Sequence, residues 1–200
     1  MSNTGRTVKT TFCLVSDTHN RGPKPADETH YCFRDPLPSA DVLLHAGDLT
    51  MFGELQQYRK ALDWIKSVDA ELKIVIAGNH DIDLHEEYYL KHSGEQPEVA
   101  MQQIKDIEEL WTGPEAREAG VVYLDEGLNT FRLKSGAVFS VRRSFTADTA
   151  LLNLHRSILL HGNPSSATGL STIPTITTAG IPPHPHPSLR LPIPYRRGQQ

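Results

Sequence analysis

Three short apolar runs in the first eighty residues each stop at a cluster of polar residues. Phe12 to Val15 lead into Ser16, Asp17, Thr18, His19 and Asn20. Val42 to His45 lead into Gly47 and Asp48, and Leu72 to Ala77 into Gly78, Asn79, His80 and Asp81. Short apolar runs bounded by turn residues fit strands buried on both faces, as in a parallel sheet. The pattern predicts strands over Val8 to Ser16, Val42 to His45 and Leu72 to Ala77. Between the second and third, Leu55, Tyr58, Leu62, Ile65 and Val68 recur at intervals of three and four. That spacing predicts a helix over Glu54 to Val68 with one apolar face, and Glu54, Gln57, Arg59, Lys60 and Asp63 make up the polar remainder. Asp17 to Asp48 and Asp48 to Asn79 each span thirty-one positions. A strand–crossover–strand unit takes roughly thirty residues. The fold class is therefore α/β, with three strands delivering Asp17, His19, Asp48, Asn79 and His80 to one sheet edge. Open α/β sheets bind ligands at that edge.

Further along, Asn20 to Ser39 is rich in proline and charge and reads as a loop, with His30 and Tyr31 facing solvent. His85 and His92 fall in a polar stretch and read as solvated. Pro97 to Trp111 predicts another helix, and Gly120 to Leu124 a short strand. Phe131 to Leu133 and Ala137 to Val141 flank Lys134, Ser135 and Gly136, the signal of a hairpin. Beyond Val141 the composition shifts. Residues 141–200 carry six arginines, no lysine and one acidic residue, Asp148, and hold eight of the fourteen prolines. From Pro164 onward Ser, Thr, Pro and Gly dominate, and such a stretch buries too little apolar surface to offset its ordering entropy. The division expected is one domain over residues 8–141 and a divergent or disordered tail over 142–200.

Charge and cysteine content narrow the setting. The formal net charge of −4 over 200 residues gives no electrostatic reason for a nucleic acid polymer or an anionic membrane as partner. Cys13 and Cys32 make no disulfide framework, which favours a reducing compartment, and the expected location is cytoplasmic. The first residues lack an apolar signal segment, and no run is long enough to span a bilayer. Oligomeric state is left open.

Carboxylate, imidazole and amide oxygen at one edge suit divalent metals such as Mn, Fe or Zn. Asp48, with two carboxylate oxygens, can bridge two ions, and two ions form a clamp for phosphoryl displacement. Gly47 and Gly78 would let the backbone come close to them. Singly, each of these residues reads as a strand-end cap or turn residue. His45, one residue before the turn, reads as a packed histidine.

The motifs D-x-H (Asp17, His19), G-D (Gly47, Asp48) and G-N-H-D (Gly78 to Asp81) resemble the first three motifs of the calcineurin-like metallophosphoesterases, closest to the metallophosphoesterase-domain-containing branch. The resemblance runs from about Thr10 to Val141. It implies a four-layer αββα sandwich whose N-terminal part is present and whose second sheet is incomplete. It implies two divalent metal ions held by Asp17, His19, Asp48 and Asn79. His80 would serve as the general acid, with Asp81 orienting its ring. Within the tail, His161 and Gly162 follow a short apolar run and are similar to the family's later strand-end histidine, which makes His161 a further candidate ligand. His184 and His186 have the spacing of the family's last motif, but the surrounding prolines argue against a strand there. The implied activity is hydrolysis of a small phosphate ester: a phosphodiester, with cyclic nucleotides among the candidates, or a phosphomonoester. The alternative is a non-catalytic, truncated remnant that binds metal or nucleotide.

Overall fold

A computed structural model describes residues 8–23, 35–148, 153–162 and 176–177, with side chains through Arg143. The apolar runs become strands β1 (Phe12–Val15), β2 (Val42–His45) and β3 (Leu72–Val75), and β4 (Val121–Tyr123) joins them. All four are parallel, in the order β1-β2-β3-β4. Val15 pairs with His45 and His45 with Val75, so three strands end level and their following loops share one edge.

The strands alternate their side chains between two cores, as the pleat requires. Leu43, Val75 and Val121 pack with Tyr58, Ala61, Leu62 and Ile65 of helix α1 (Leu55–Ser67), and with Ile107 and Trp111 of α3 (Pro97–Thr112). Ala116 of α4 (Pro114–Glu118) joins this cluster. Helix α2 (Glu86–His92) sets Tyr89 against Ala100 and Ile104 of α3. On the other face, Val42, Leu44, Ile74 and Ile76 meet Leu133, Phe139 and Val141 of a second sheet.

That second sheet is antiparallel, in the order β5 (Gly127–Arg132), β6 (Val138–Asp148), β7 (Asn153–Gly162), β8 (Ile176–Thr177). The expected hairpin is the β5–β6 turn, closed by the Gly136 N–H on the Leu133 carbonyl at 2.9 Å. Strand β6 runs across position 141, and β7 lies wholly beyond it. Of the residues from Pro164 onward, Ile176–Thr177 pair with β7, and the rest lie outside the described residues, as do His30, Tyr31, His184 and His186. Helix, parallel sheet and antiparallel sheet make three stacked layers. Among the described residues no helix covers the outer face of the second sheet, and none is long and apolar enough to cross a membrane.

Candidate metal centre

The loops after β1, β2 and β3 meet at the carboxyl edge of the parallel sheet and are laced together by main-chain bonds. Asp17 N–H donates to the Gly47 carbonyl (3.0 Å), His19 N–H to the Asp48 carbonyl (2.9 Å) and Asn20 N–H to the Leu49 carbonyl (2.7 Å). Such ladders outside strands demand unusual backbone angles. Asp17, His19, Asn20 and Asp48 have φ of 57°, 44°, 63° and 55°. Non-glycine residues seldom adopt this left-handed region, although Asp, Asn and His do so more readily than others. Backbone strain of this kind gathers at functional sites.

Gly78 explains how the second and third loops come so close. A Cβ at Gly78 would overlap Asp48 N and Oδ1, and one at Gly47 would lie 2.7 Å from Gly78 Cα. The two glycines therefore let the loops touch each other, where the sequence suggested close approach to ions.

Three side chains converge here. One ligand-type atom each from His19, Asp48 and His80 lies within 4.8 Å of the others. The rings of His19 and His80 meet edge to face, their centroids 4.6 Å apart. Asp48 Oδ1 accepts the His80 N–H at 3.0 Å. Burial holds the Asp48 carboxyl above the ordinary carboxylate range; the nearby His80 opposes that rise, and Asp81 and Asp17 add to it. A largely buried carboxylate with this deficit of positive charge favours a cation beside it. The His19 imidazole and the Asp48 carboxylate, with a second imidazole beside them at His80, are donors of the kind that suits Zn, Mn or Fe. The donors thus fit a divalent metal.

The other expected residues stand as follows. Asp17 is exposed, accepts a bond from the Ser16 hydroxyl and lies outside the three-residue group, although its charge acts on Asp48 and His45. Asn79 is exposed. His161 lies on β7 opposite Ser140 of β6, and its side chain is outside the described residues. His45 is fully buried, as expected of a packed residue. Its Nδ1 accepts the Gly47 N–H (3.3 Å) and its Nε2 lies 3.0 Å from the Thr18 hydroxyl. Burial pulls its pKa down to about 3 against a smaller opposing pull from Asp17, so the ring is neutral.

Asp81 requires a correction. It was expected to orient the His80 ring, but the His80 Nδ1 lies 3.0 Å from the Met51 carbonyl. Asp81 is completely buried and instead ties the loops. Its Oδ2 accepts N–H groups from Leu49 (3.0 Å) and Gly78 (2.6 Å), and its Oδ1 accepts the Thr50 N–H (2.9 Å). The Thr50 hydroxyl lies 2.8 Å from the same Oδ1. A short side chain beside three unpaired N–H groups satisfies them before it can reach a neighbouring ring.

Two buried residues that bond the loops around these side chains were missed. Thr50 is fully buried between the loops. Gln57 was read as part of the polar face of α1, yet it is 8% exposed, and its Oε1 accepts the N–H groups of Met51 (2.8 Å) and Phe52 (3.1 Å). A signal for Gln57 existed: one and two turns on, its stripe carries Ala61 and Trp64, both apolar.

Comparison with known proteins gives a family and partial relatives. The family model described as calcineurin-like phosphoesterase matches residues 10–186. The chain is similar to metallophosphoesterase domain-containing protein 1 of Homo sapiens and of Mus musculus, 41% identical over 81 residues in each case. That match takes 40% of this chain and 21% of each relative. It is also similar to a probable rhamnogalacturonate lyase C of Emericella nidulans, 40% identical over 82 residues, or 41% of this chain and 7% of the relative. The matches thus span about a fifth or less of these curated relatives.

Proposed function

The chain belongs to the calcineurin-like phosphoesterase family, and we propose that it is a metal-dependent hydrolase of small phosphate esters. The convergence of His19, Asp48 and His80 at the carboxyl edge of the parallel sheet carries this reading. The lyase name belongs to a protein of which the match covers 7%, and it carries no argument here.

His19 and Asp48 would hold a divalent ion, Mn, Fe or Zn. Asp48 would also help to hold a second, for which Asp17, Asn79 and His161 are the proposed further ligands. When bound, such ions supply Lewis acidity toward a phosphoryl oxygen and acidify water near neutral pH. The chain's own part is to orient and to move a proton. His80, with Nδ1 committed to the Met51 carbonyl, keeps Nε2 for the leaving oxygen. As imidazolium it protonates a departing alkoxide, help typically worth about 10²–10⁴-fold in rate. Asp81 acts through the loops it ties. We keep residues 8–141 as the domain, since all three converging residues lie within it, and His161 would be a ligand supplied from beyond it. A phosphodiester is the proposed substrate, with cyclic nucleotides inside that class, and the proposed setting is cytoplasmic.

A second reading, a metal- or nucleotide-binding module without turnover, draws on the exposure of Asn79 and on that of Asp17, which lies outside the converging group. The test supplies Mn²⁺ and compares an aryl phosphodiester with an alkyl or cyclic one. Asp48→Ala should abolish turnover of both. His80→Ala should chiefly slow the alkyl ester, because a phenolate departs without a proton. Equal loss on both esters with metal still bound would remove the acid role. Metal binding without turnover of either ester by the unaltered protein would establish the module instead.

A further inference from the structure

The two histidines of the converging group are held in the same way by consecutive main-chain carbonyls. His19 Nδ1 lies 3.2 Å from the Thr50 carbonyl, and His80 Nδ1 lies 3.0 Å from the Met51 carbonyl. A carbonyl oxygen only accepts, so Nδ1 must carry the proton in both rings. Nε2 is then the nitrogen left with a lone pair in each neutral ring. His45 is arranged the other way: its Nδ1 accepts the Gly47 N–H, which leaves the proton on Nε2.

The orientation of His19 and His80 thus depends on where one dipeptide points its carbonyls. Four groups fix that dipeptide. Asp81 takes the Thr50 N–H, the Thr50 hydroxyl takes the Gly53 N–H at 3.1 Å, and Gln57 takes the N–H groups of Met51 and Phe52. The fourth is Glu54, whose Oε2 accepts the Gln57 Nε2–H at 3.2 Å and so selects which end of the amide faces the loop. Gln57 is the third residue of α1, a position from which a Gln or Glu side chain reaches back over a helix start. Here it reaches past the cap to the two residues that precede Gly53. Glu54 itself makes no side-chain cap bond, so Gln57 takes over the ordering of this entry to the helix.

We propose that Gln57 is a positioning residue of the site: through the main chain of Met51 and Phe52 it sets the Thr50 and Met51 carbonyls, and these hold His19 and His80 as Nδ1–H tautomers with Nε2 open to a ligand. The inference rests on the reading of His19 and His80 as site residues, but its measurement does not require activity. Outer partners of this kind typically change metal affinity about 10–100-fold when removed.

The test uses the full chain, freed of metal, at about pH 8, above the ordinary imidazole pKa of about 6.5. Long-range proton–nitrogen NMR reads the tautomer of each histidine, and titration with Zn²⁺ reads affinity. The unaltered protein should show Nδ1–H at His19 and His80 and Nε2–H at His45. Gln57→Met keeps the length of the side chain without its acceptor. It should mix the tautomers of His19 and His80, spare His45, and weaken Zn²⁺ binding about 10-fold or more. Exchanging the pair, Glu54→Gln with Gln57→Glu, restores an acceptor toward the loop and a donor toward it from position 54. It should recover both signatures. Should Gln57→Met fail to fold, the tautomers of the unaltered protein and the exchanged pair still decide the matter. Nε2–H at His19 or His80 in the unaltered protein would overturn the proposal. So would unchanged tautomers and affinity in a folded Gln57→Met protein, a shift at His45 as large as at the other two, or an exchanged pair no better than Gln57→Met. Nδ1–H tautomers in a protein that binds no metal would sink the phosphoesterase reading and leave this one standing.

Discussion

Strands β1 to β4 are three or four residues long, and β2 and β3 are buried almost throughout, whereas β5 and β6 run for six and eleven residues. β5 shows half or more of its positions to solvent. In the first sheet the strands serve mainly to start loops, and the loops do the ordering: their main chains bond one another and close on Asp81 and Thr50. The second sheet contributes a lid of apolar surface, Leu133, Phe139 and Val141, and a methyl group added at Gly136 in its hairpin turn would meet no neighbour. A buried parallel edge built from interlocked loops has few tolerant positions. An antiparallel sheet with one wet face has many.

The largest break in that contrast comes where the sheets touch. Phe139 is 5% exposed and meets Phe12 edge to face at 5.2 Å, with the Phe131 ring tilted against it at 5.7 Å. Phe139→Ala removes a buried ring from the interface and should cost about 3–5 kcal/mol, read by denaturant unfolding. A loss under about 1 kcal/mol, within the range of surface substitutions, would mean that the second sheet holds nothing in place.

The elements of the first sheet could be read from sequence because burial on both faces leaves a plain apolar run, and α1 because its stripe repeats. The hairpin was equally plain at Lys134, Ser135 and Gly136. Helix α4 was not anticipated: it is five residues long, too short to show a period, and its one signal is Pro114 at the first helical position after Gly113. The converging residues were nameable because they follow apolar runs at equal spacing. What holds them was hidden. Asp81 looked like a ring-orienting carboxylate since it adjoins His80 in sequence, yet its partners are N–H groups about thirty residues away, at Leu49 and Thr50. Gln57 looked solvated because a polar side chain on a helix usually is, and no periodicity reports which polar groups a loop will offer it.

A second, smaller break sets one glycine against another. Gly78→Ala would drive a methyl group into the main chain of Asp48, where neither partner can give way. The overpacking should cost about 3 kcal/mol or more and should separate Asp48 from His80, so Zn²⁺ affinity should fall with it. Gly136 has φ of 86° and open space around it. Gly136→Ala pays only for its left-handed backbone, about 1–2 kcal/mol, and should leave Zn²⁺ affinity unchanged. Equal effects of the two substitutions on affinity would show that the interlocked loops are not what sets the site.

The finest distinction is one of pH, because the first region buries two groups whose ionisation folding suppresses in opposite senses. His45 has its pKa pulled down to about 3 by burial. Asp83, 1% exposed and lodged against Gly53, has its carboxyl pushed up to about 7 by burial first and by the Asp81 charge second. In the unfolded chain these groups titrate near 6.5 and 3.9. As pH falls below about 6.5, the unfolded state gains a proton on His45 that the folded state refuses, and stability drops. As pH rises above about 3.9, the unfolded state loses a proton from Asp83 that the folded state keeps, and stability drops in that direction. Between about pH 4.5 and 6 the two states carry equal numbers of protons on this pair: one on His45 when unfolded, one on Asp83 when folded. Their slopes cancel there. Asp83→Asn keeps the shape and removes one of the two. In the metal-free protein its stability should then fall with acid across that window by about 1.4 kcal/mol per pH unit more steeply than that of the unaltered chain. Urea unfolding at pH 4.5, 5.2 and 6 measures this directly. Parallel pH profiles for the two proteins would mean that Asp83 is ionised inside the fold, and that water reaches the space beneath the loops.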